Sequence, residues 1–111
     1  MQNEPFTLVS ADLGALIDAA PAAPERPQTK RVFQGEGATM VRLTFEAGQE
    51  MREHSTNAPL IVQVLEGDVL FTIGEDRFEL TTGSILHVAP SVRHALEART
   101  EAHLLLTLCM R

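Results

Sequence analysis

Residues 60–80 read LIVQVLEGDVLFTIGEDRFEL, and they combine two patterns that are typical of β-strands. The run at 60–65 is apolar on both faces, which predicts a central strand covered on both sides. Residues 69–73 then alternate with a period of two, as in a strand with one face in a core. The tripeptide GED at 74–76 predicts a hairpin turn that leads into a further strand.

The same periodicity continues on both sides of this stretch. At 40–46, apolar residues alternate with Arg42, Thr44 and Glu46, which predicts a strand with one face in a core. Further strands are predicted at 84–88, 92–97 and 102–110. Many short strands separated by turn residues indicate an all-β sandwich or barrel.

The N-terminal part of the chain has a different pattern. FTLV at 6–9 predicts a short strand, and the spacing of Leu13, Leu16 and Ile17 predicts one or two helical turns. Residues 19–27 read AAPAAPERP, and their prolines favour an extended connector. We therefore expect an N-terminal arm with a Pro/Ala-rich connector at 1–29 and a β-barrel domain at 30–111.

Composition limits the partners and the location of the protein. The chain has 111 residues and a formal net charge of −6, which argues against binding to nucleic acid. No apolar run reaches the length of a membrane span, and the acidic N-terminus lacks the basic start of a signal peptide. The single cysteine, Cys109, excludes an internal disulfide and fits a reducing compartment. We expect one cytoplasmic domain with no membrane partner.

Two segments resemble the conserved motifs of the cupin superfamily. They are GQEMREHSTNAPLIVQVLEG at 48–67 and GSILHVAPSVRH at 83–94. Gly48, His54 and Gly67 have the spacing of the first cupin motif, and Gly83 and His94 have that of the second. The resemblance implies an antiparallel double-stranded β-helix, or jelly-roll barrel, preceded by a short helical or extended segment.

The motifs also depart from the family pattern. In metal-binding cupins, two histidines and a glutamate of the first motif and a histidine of the second hold one divalent ion. Of these ligands the chain keeps His54 and His94, whereas Thr56 and Leu60 stand at the other two positions. In the second motif, Ser91 replaces a glycine. The resemblance therefore implies a metal site with only two of its four ligands.

Two imidazoles alone predict a weak metal site, because catalytic zinc sites normally have three protein ligands. Zn, Ni, Fe and Mn are the divalent metals that suit imidazole. Gln63 is a possible extra ligand, although strict alternation turns it away from Leu60, Val62 and Val64. The alternative is a metal-free cavity in which His54 and His94 are satisfied by water or by each other.

The remaining histidines and the cysteine fit structural roles. His87 lies between Leu86 and Val88, which we expect to face the core, so His87 faces the other side. His103 is interpreted as an ordinary surface or interface residue of the last strand. Cys109 is interpreted as a buried structural thiol rather than a nucleophile.

Three functions are compatible with these residues. The first is a small stand-alone cupin that binds an uncharged or partly hydrophobic ligand in a cavity lined by Thr56, Leu60, Val62 and Val64, with or without a weakly held divalent metal. The second is a metal-dependent enzyme, such as a dioxygenase, isomerase or lyase, that acts on a small organic acid or sugar-like substrate, with Gln63 or a water-held Glu53 completing the metal sphere. The third is a dimeric protein whose barrel has lost its chemistry.

Self-association is also predicted. The C-terminal run LLLTLCM at 104–110 and the strand at 60–65 carry more apolar surface than one small barrel should bury. Small cupins commonly dimerise, so we expect a homodimer.

Overall fold

Nine antiparallel strands and one short helix make up residues 5–110, the part of the chain that this computed structural model describes. The helix α1 spans Leu13–Asp18. The strands are β1 (Gln28–Gly35), β2 (Ala38–Phe45), β3 (Glu50–His54), β4 (Leu60–Glu66), β5 (Val69–Ile73), β6 (Asp76–Leu80), β7 (Ile85–Val88), β8 (His94–Ala98) and β9 (Ala102–Cys109). Within residues 5–110, no helix is long and apolar enough to cross a membrane.

The strands form two sheets with the core between them. The large sheet has the order β1-β2-β9-β4-β7, and the small sheet has the order β3-β8-β5-β6. Core side chains come from both sheets, for example Val62 and Leu104 from the large sheet and Phe71 and Leu96 from the small one. The all-β jelly-roll prediction is confirmed.

The hairpin between β5 and β6 is one residue tighter than predicted. Ile73 pairs with Asp76, so the turn consists of Gly74 and Glu75, and Asp76 already belongs to β6. Gly74 has a φ of 59°, a conformation that a glycine adopts without steric cost. The pattern located the hairpin correctly but not the end of its turn.

Gly67 is a position where only glycine fits. Its φ is 104°, and a Cβ atom there would lie 2.3 Å from the carbonyl oxygen of Glu101. The turn after β4 therefore packs directly against the turn before β9. Amide hydrogens of Arg99 and Thr100 bind the carbonyl of Asp68 and hold the two turns together.

The N-terminal segment contains the predicted helix but not the predicted strand. Asp12 caps α1 by accepting a hydrogen bond from the amide of Ala15 at 2.8 Å. Residues 6–9 belong to no strand, and the prediction of a strand there was wrong. β1 begins at Gln28, so the expected domain boundary between residues 29 and 30 falls within this strand.

The Pro/Ala-rich connector covers the outer face of the large sheet. The hydroxyl of Thr44 donates to the carbonyl of Ala20 at 2.6 Å. The side-chain amide of Gln49 donates to the carbonyl of Ala23 at 2.8 Å. Ala20 is 3% exposed. The connector is thus part of the packed structure.

Arg42 lies beneath α1 and is fully buried. Its Nε donates to the carbonyl of Leu16 at 2.7 Å, and its two terminal nitrogens reach the carbonyls of Ile17, Leu43 and Leu104 and the hydroxyl of Thr44. Burial lowers the pKa of Arg42, but a guanidinium remains charged at neutral pH. We expected β2 to have only one face in a core. This was wrong for its C-terminal half, residues 42–45, because the chain covers both faces there.

His103 completes the same network. Its Nδ1 accepts a hydrogen bond from Nη2 of Arg42 at 2.9 Å, so the proton of the neutral ring is on Nε2 and is donated to Glu101 at 2.9 Å. The residue is 4% exposed within the single chain, so the interpretation of His103 as an ordinary surface or interface residue was wrong.

The C-terminal strand is also less exposed than the homodimer argument assumed. β9 lies between β2 and β4, and residues 102–105 are buried. Of the run at 104–110, Leu104 and Leu105 are therefore covered within one chain, whereas residues 106–109 are half-buried and Met110 is exposed.

Candidate functional site

His54 and His94 meet on neighbouring strands of the small sheet. They are direct cross-strand partners in the β3–β8 ladder. Their ring centroids are 4.4 Å apart, and the ring planes are inclined at 62°. Residues separated by forty positions are therefore brought together, as the spacing of the two motifs led us to expect.

A bulge in β3 turns His54 inward. The β3–β8 register shifts between Met51, which pairs with Leu96, and His54, which pairs with His94. In a regular strand, residues three positions apart point to opposite faces. The extra residue in β3 places Met51 and His54 on the same side, where both line one cavity.

Backbone contacts fix the protonation pattern of both rings. Nδ1 of His54 lies 2.9 Å from the carbonyl of Arg52, and Nδ1 of His94 lies 3.0 Å from that of Val92. A carbonyl only accepts, so each Nδ1 carries the proton and each Nε2 of the neutral rings has a free lone pair. Neither Nε2 has a hydrogen-bond partner within residues 5–110.

His94 is held in an apolar environment. It is 3% exposed and stacks on Phe71 with a centroid distance of 5.5 Å. Burial lowers the pKa of His94, the hydrogen bond to Val92 opposes this effect, and the nearby His54 adds to the lowering. The ring is therefore a neutral hydrogen-bond acceptor at physiological pH.

The two rings line a cavity of about 50 Å³ between the sheets. Its other walls are nearly all apolar and consist of Leu43, Met51, Thr56, Leu60, Val62, Phe71, Ala95, Leu96, Leu106 and Leu108. The hydroxyl of Thr56 donates to the carbonyl of Ala58 at 2.9 Å, so its proton is already used. Lysine, arginine, aspartate and glutamate are absent from the walls that the described residues form.

Three of the four predicted lining residues belong to this cavity. Thr56, Leu60 and Val62 line it, whereas Val64 is a buried core residue beyond its wall. Sequence reasoning missed Met51, because a regular strand would have turned it away from His54. It treated Phe71 and Leu106 only as strand and core residues, although their inward alternation carried the signal.

The other candidate residues lie elsewhere. Gln63 is on the outer face of β4, where it lines a groove with Leu13, so the structure does not bring it to His54 and His94. His87 is exposed between the more buried Leu86 and Val88. Glu53 is exposed and forms a salt bridge with Arg93 at 3.2 Å. Cys109 is half-buried at the end of β9, not fully buried as expected.

A turn with an unusual backbone conformation is bonded to Thr56, one of the residues that line the cavity. Ser91 has a φ of 68°, which is uncommon for a residue other than glycine. Its amide donates to the carbonyl of Thr56 at 2.8 Å and ties the β7–β8 turn to the loop before β4. The glycine that Ser91 replaces in the family motif is explained by this backbone conformation.

Comparison with known families decides the classification. A family model for the cupin domain matches residues 41–110. The protein is a cupin. A search of curated protein sequences finds no match to this chain.

Solved structures share this fold over 83% or more of the chain. An RmlC-like cupin from Desulfovibrio desulfuricans is 28% identical, with a TM-score of 0.71 over 98% of this chain and 96% of its own. A cupin superfamily protein from Desulfitobacterium hafniense is 15% identical, with a TM-score of 0.78 over 100% and 94%. KdgF from Halomonas sp. is 16% identical, with a TM-score of 0.74 over 83% and 87%. The first two matches include the N-terminal segment.

The donor set of this cupin only partly fits the divalent metal of the family. The orientation is suitable, because a metal-binding histidine usually donates its other ring N–H to a backbone carbonyl or carboxylate. The number and charge of the donors are unsuitable, because no group of three or more His, Cys, Asp or Glu side chains within residues 5–110 could hold an ion. Leu60 and the engaged hydroxyl of Thr56 leave two neutral ligands in an apolar cavity, which offset little of the charge of a dication.

Proposed function

We propose that this cupin binds a small uncharged molecule in the cavity between its sheets, with His54 and His94 accepting hydrogen bonds from the hydroxyl or amine groups of the ligand. The observation that carries this proposal is the pair of free Nε2 lone pairs in an otherwise apolar wall. No buried side-chain nitrogen or oxygen within residues 5–110 lacks a hydrogen-bond partner, so both Nε2 atoms are open to solvent and a ligand donor can take the place of water.

The walls favour a neutral ligand over an organic acid. A carboxylate needs cationic or N–H donors, but each ring already donates its proton to a backbone carbonyl. The lowered pKa of His94 keeps its ring neutral, so it supplies no positive charge. A sugar is also a poor fit, because its many hydroxyls would face apolar side chains.

The size of the cavity restricts the ligand further. A volume of about 50 Å³ exceeds the space that one water molecule needs by a small factor. A compact apolar body with one or two donors matches both the volume and the polarity. A simple phenol or a small alcohol represents this class.

Calorimetric titration with three molecules of similar shape tests the proposal. We expect phenol to bind more tightly than toluene, which lacks the donor, and more tightly than benzoate, which carries a charge. In His54→Phe and His94→Phe, phenol affinity should fall by about 5-fold to 10-fold, because a net hydrogen bond contributes about 1 kcal/mol. Toluene affinity should change little. Equal binding of all three molecules, tighter binding of benzoate, or no binding of phenol would refute the proposal.

A weakly held metal is the second candidate, favoured by the anchoring of both Nδ1 atoms to carbonyls. Elemental analysis of protein purified without chelator separates the two candidates. Near-stoichiometric transition metal that is lost in both His54→Ala and His94→Ala would support the metal site. Metal content that these substitutions leave unchanged would remove the pair from the list of ligands.

A further inference from the structure

We infer that the cavity is a site for one Cu(I) ion, held by the Nε2 atoms of His54 and His94 and by the thioether sulfur of Met51. The observation that carries this inference is the bulge in β3, which brings Met51 to the same side of the strand as His54. The inference uses the two ring nitrogens that the proposed function also uses, but it does not depend on the uncharged ligand proposed above.

Met51 supplies the third donor that the two histidines lack. It is half-buried and lines the same cavity as both rings. The cavity volume of about 50 Å³ is only a small multiple of the space that one water molecule needs, so the side chains that line it converge on one small volume. A methionine side chain has three rotatable bonds and a polarisable sulfur, which lets the sulfur adjust to an ion beside the rings.

The two rings have the orientation that a shared ion requires. Each Nδ1 is bonded to the carbonyl of the residue two positions earlier in the chain, so each Nε2 is directed away from that carbonyl with its lone pair free. Metal–nitrogen bonds of about 2.0–2.1 Å place two nitrogens that share an ion within about 4 Å of each other. The centroid distance of 4.4 Å between the rings is compatible with this separation.

Charge selects a monovalent ion. A thioether and two imidazoles are neutral donors, and the cavity walls that residues 5–110 form contain no aspartate or glutamate. The desolvation cost of an ion rises with the square of its charge, so a monovalent ion pays about a quarter of the cost of a dication of equal size. Neutral donors in apolar walls therefore suit a monovalent ion better than the divalent ion of the family.

The type of donor selects copper among the monovalent ions. Thioether sulfur is a soft ligand that favours Cu(I), and imidazole is a good ligand for copper. Potassium, by contrast, is bound by rings of oxygen atoms. Thr56 contributes the one side-chain oxygen in the walls that the described residues form, which is too few for such a ring. Cu(II) favours square-planar or tetragonal sites of nitrogen and oxygen, so the reduced ion is the better match.

A competition titration under anaerobic, reducing conditions tests the site. The probe is Cu(I) itself, and the competitor is the chromophoric Cu(I) chelator bathocuproine disulfonate. All proteins carry Cys109→Ser, because a free thiol also binds Cu(I). We expect one Cu(I) per chain, with Zn(II) bound at least about 10-fold more weakly. Absence of Cu(I) binding, or tighter binding of Zn(II), would overturn the inference.

Substitutions in this background identify the ligands. Met51→Leu keeps an apolar side chain of similar volume but removes the sulfur, so the Cu(I) affinity should fall by about 10-fold or more. His54→Phe and His94→Phe should each lower it at least as much. Met40→Leu is the matched control, since Met40 is also half-buried but does not line the cavity, and it should leave the affinity unchanged. A Cu(I) affinity that Met51→Leu leaves unchanged would contradict the inference.

X-ray absorption at the copper edge gives a readout that does not depend on a variant. Cu(I) bound to the Cys109→Ser protein should have one sulfur and two nitrogen neighbours, and the sulfur should be lost in Met51→Leu. A first shell without sulfur in the Cys109→Ser protein would refute the thioether ligand.

Phenol binding in the absence of copper separates this inference from the proposed function. Met51 has no hydrogen bond to give to phenol, so Met51→Leu should bind phenol as tightly as the parent protein. Cu(I) binding without phenol binding would refute the proposed function alone. Phenol binding without Cu(I) binding would overturn the present inference alone.

Discussion

His94 and His103 are equally buried, at 3% and 4% exposed, yet their environments differ. His103 uses both ring nitrogens within the chain, one toward Arg42 and one toward Glu101. His94 uses only Nδ1, and its ring lines an apolar cavity. A saturated histidine stabilises the chain that surrounds it, whereas a histidine with a free nitrogen remains available to a ligand. Burial alone therefore does not distinguish a histidine with two hydrogen-bond partners from one with a free ring nitrogen.

The largest expected effect is a loss of stability when the hydrogen-bond network of Arg42 and His103 is broken. Arg42→Leu leaves the carbonyls of Leu16, Ile17 and Leu104 and the Nδ1 of His103 without their donor. Each buried acceptor that loses its donor costs about 1–3 kcal/mol, so a total loss of about 3–5 kcal/mol is expected. The free energy of unfolding from urea denaturation should fall by about this amount. Arg31→Leu, on the exposed edge of the same sheet, is the control and should change it by less than about 0.5 kcal/mol. Equal stability of the two variants would show that the network contributes nothing.

A pair of matched substitutions compares the two histidines directly. His103→Phe removes an acceptor from Arg42 and should lower the free energy of unfolding by about 1–3 kcal/mol. His94→Phe retains the stacking on Phe71 and removes only one hydrogen bond to a backbone carbonyl, so the loss should be at most about 1 kcal/mol. The same urea experiment measures both, and a larger loss in His94→Phe would reverse the assignment of roles.

The smallest expected effect is a dependence on pH. Because the folded chain lowers the pKa of His94 from 6.5, the unfolded chain binds its proton more tightly. The contribution of His94 to stability is then present above pH 6.5 and is lost as the pH falls below that value. Urea denaturation at pH 7.5 and 5.5, with chelator present, should show a smaller decrease for His94→Phe than for the wild type. An identical decrease in both proteins would argue against the lowered pKa.

The strands and the convergence of the two cavity histidines could be predicted from the sequence. Period-two alternation located the strands, and the spacing of Gly48, His54, Gly83 and His94 predicted that the two imidazoles converge. Both signals are local or depend on fixed spacings within motifs. They do not report a bulge, which is why Met51 was missed, nor the depth along a strand, which is why Val64 was placed in the cavity wall.

The packing of the N-terminal segment on the outer face of the large sheet could not be predicted in the same way. An arginine that alternates with apolar residues is normally solvent-exposed, and nothing near Arg42 in the sequence shows that residues 16–24 cover it. This segment contacts the sheet through its backbone carbonyls. Every residue has a backbone carbonyl, so the residue types do not reveal these contacts. One signal was present, since residues 102–106 are apolar on both faces apart from His103. The run at 104–110 was assigned to a partner chain, although Leu104 and Leu105 are buried within this chain.

The bulge in β3 means that the site depends on the length of a strand as well as on its side chains. Without the bulge, the spacing of three positions would turn Met51 and His54 to opposite sides, whereas deletion of either Arg52 or Glu53 would leave a spacing of two and keep both side chains on the cavity side in a regular pleat. A relative whose β3 is regular and one residue shorter would therefore present the same two side chains to its cavity.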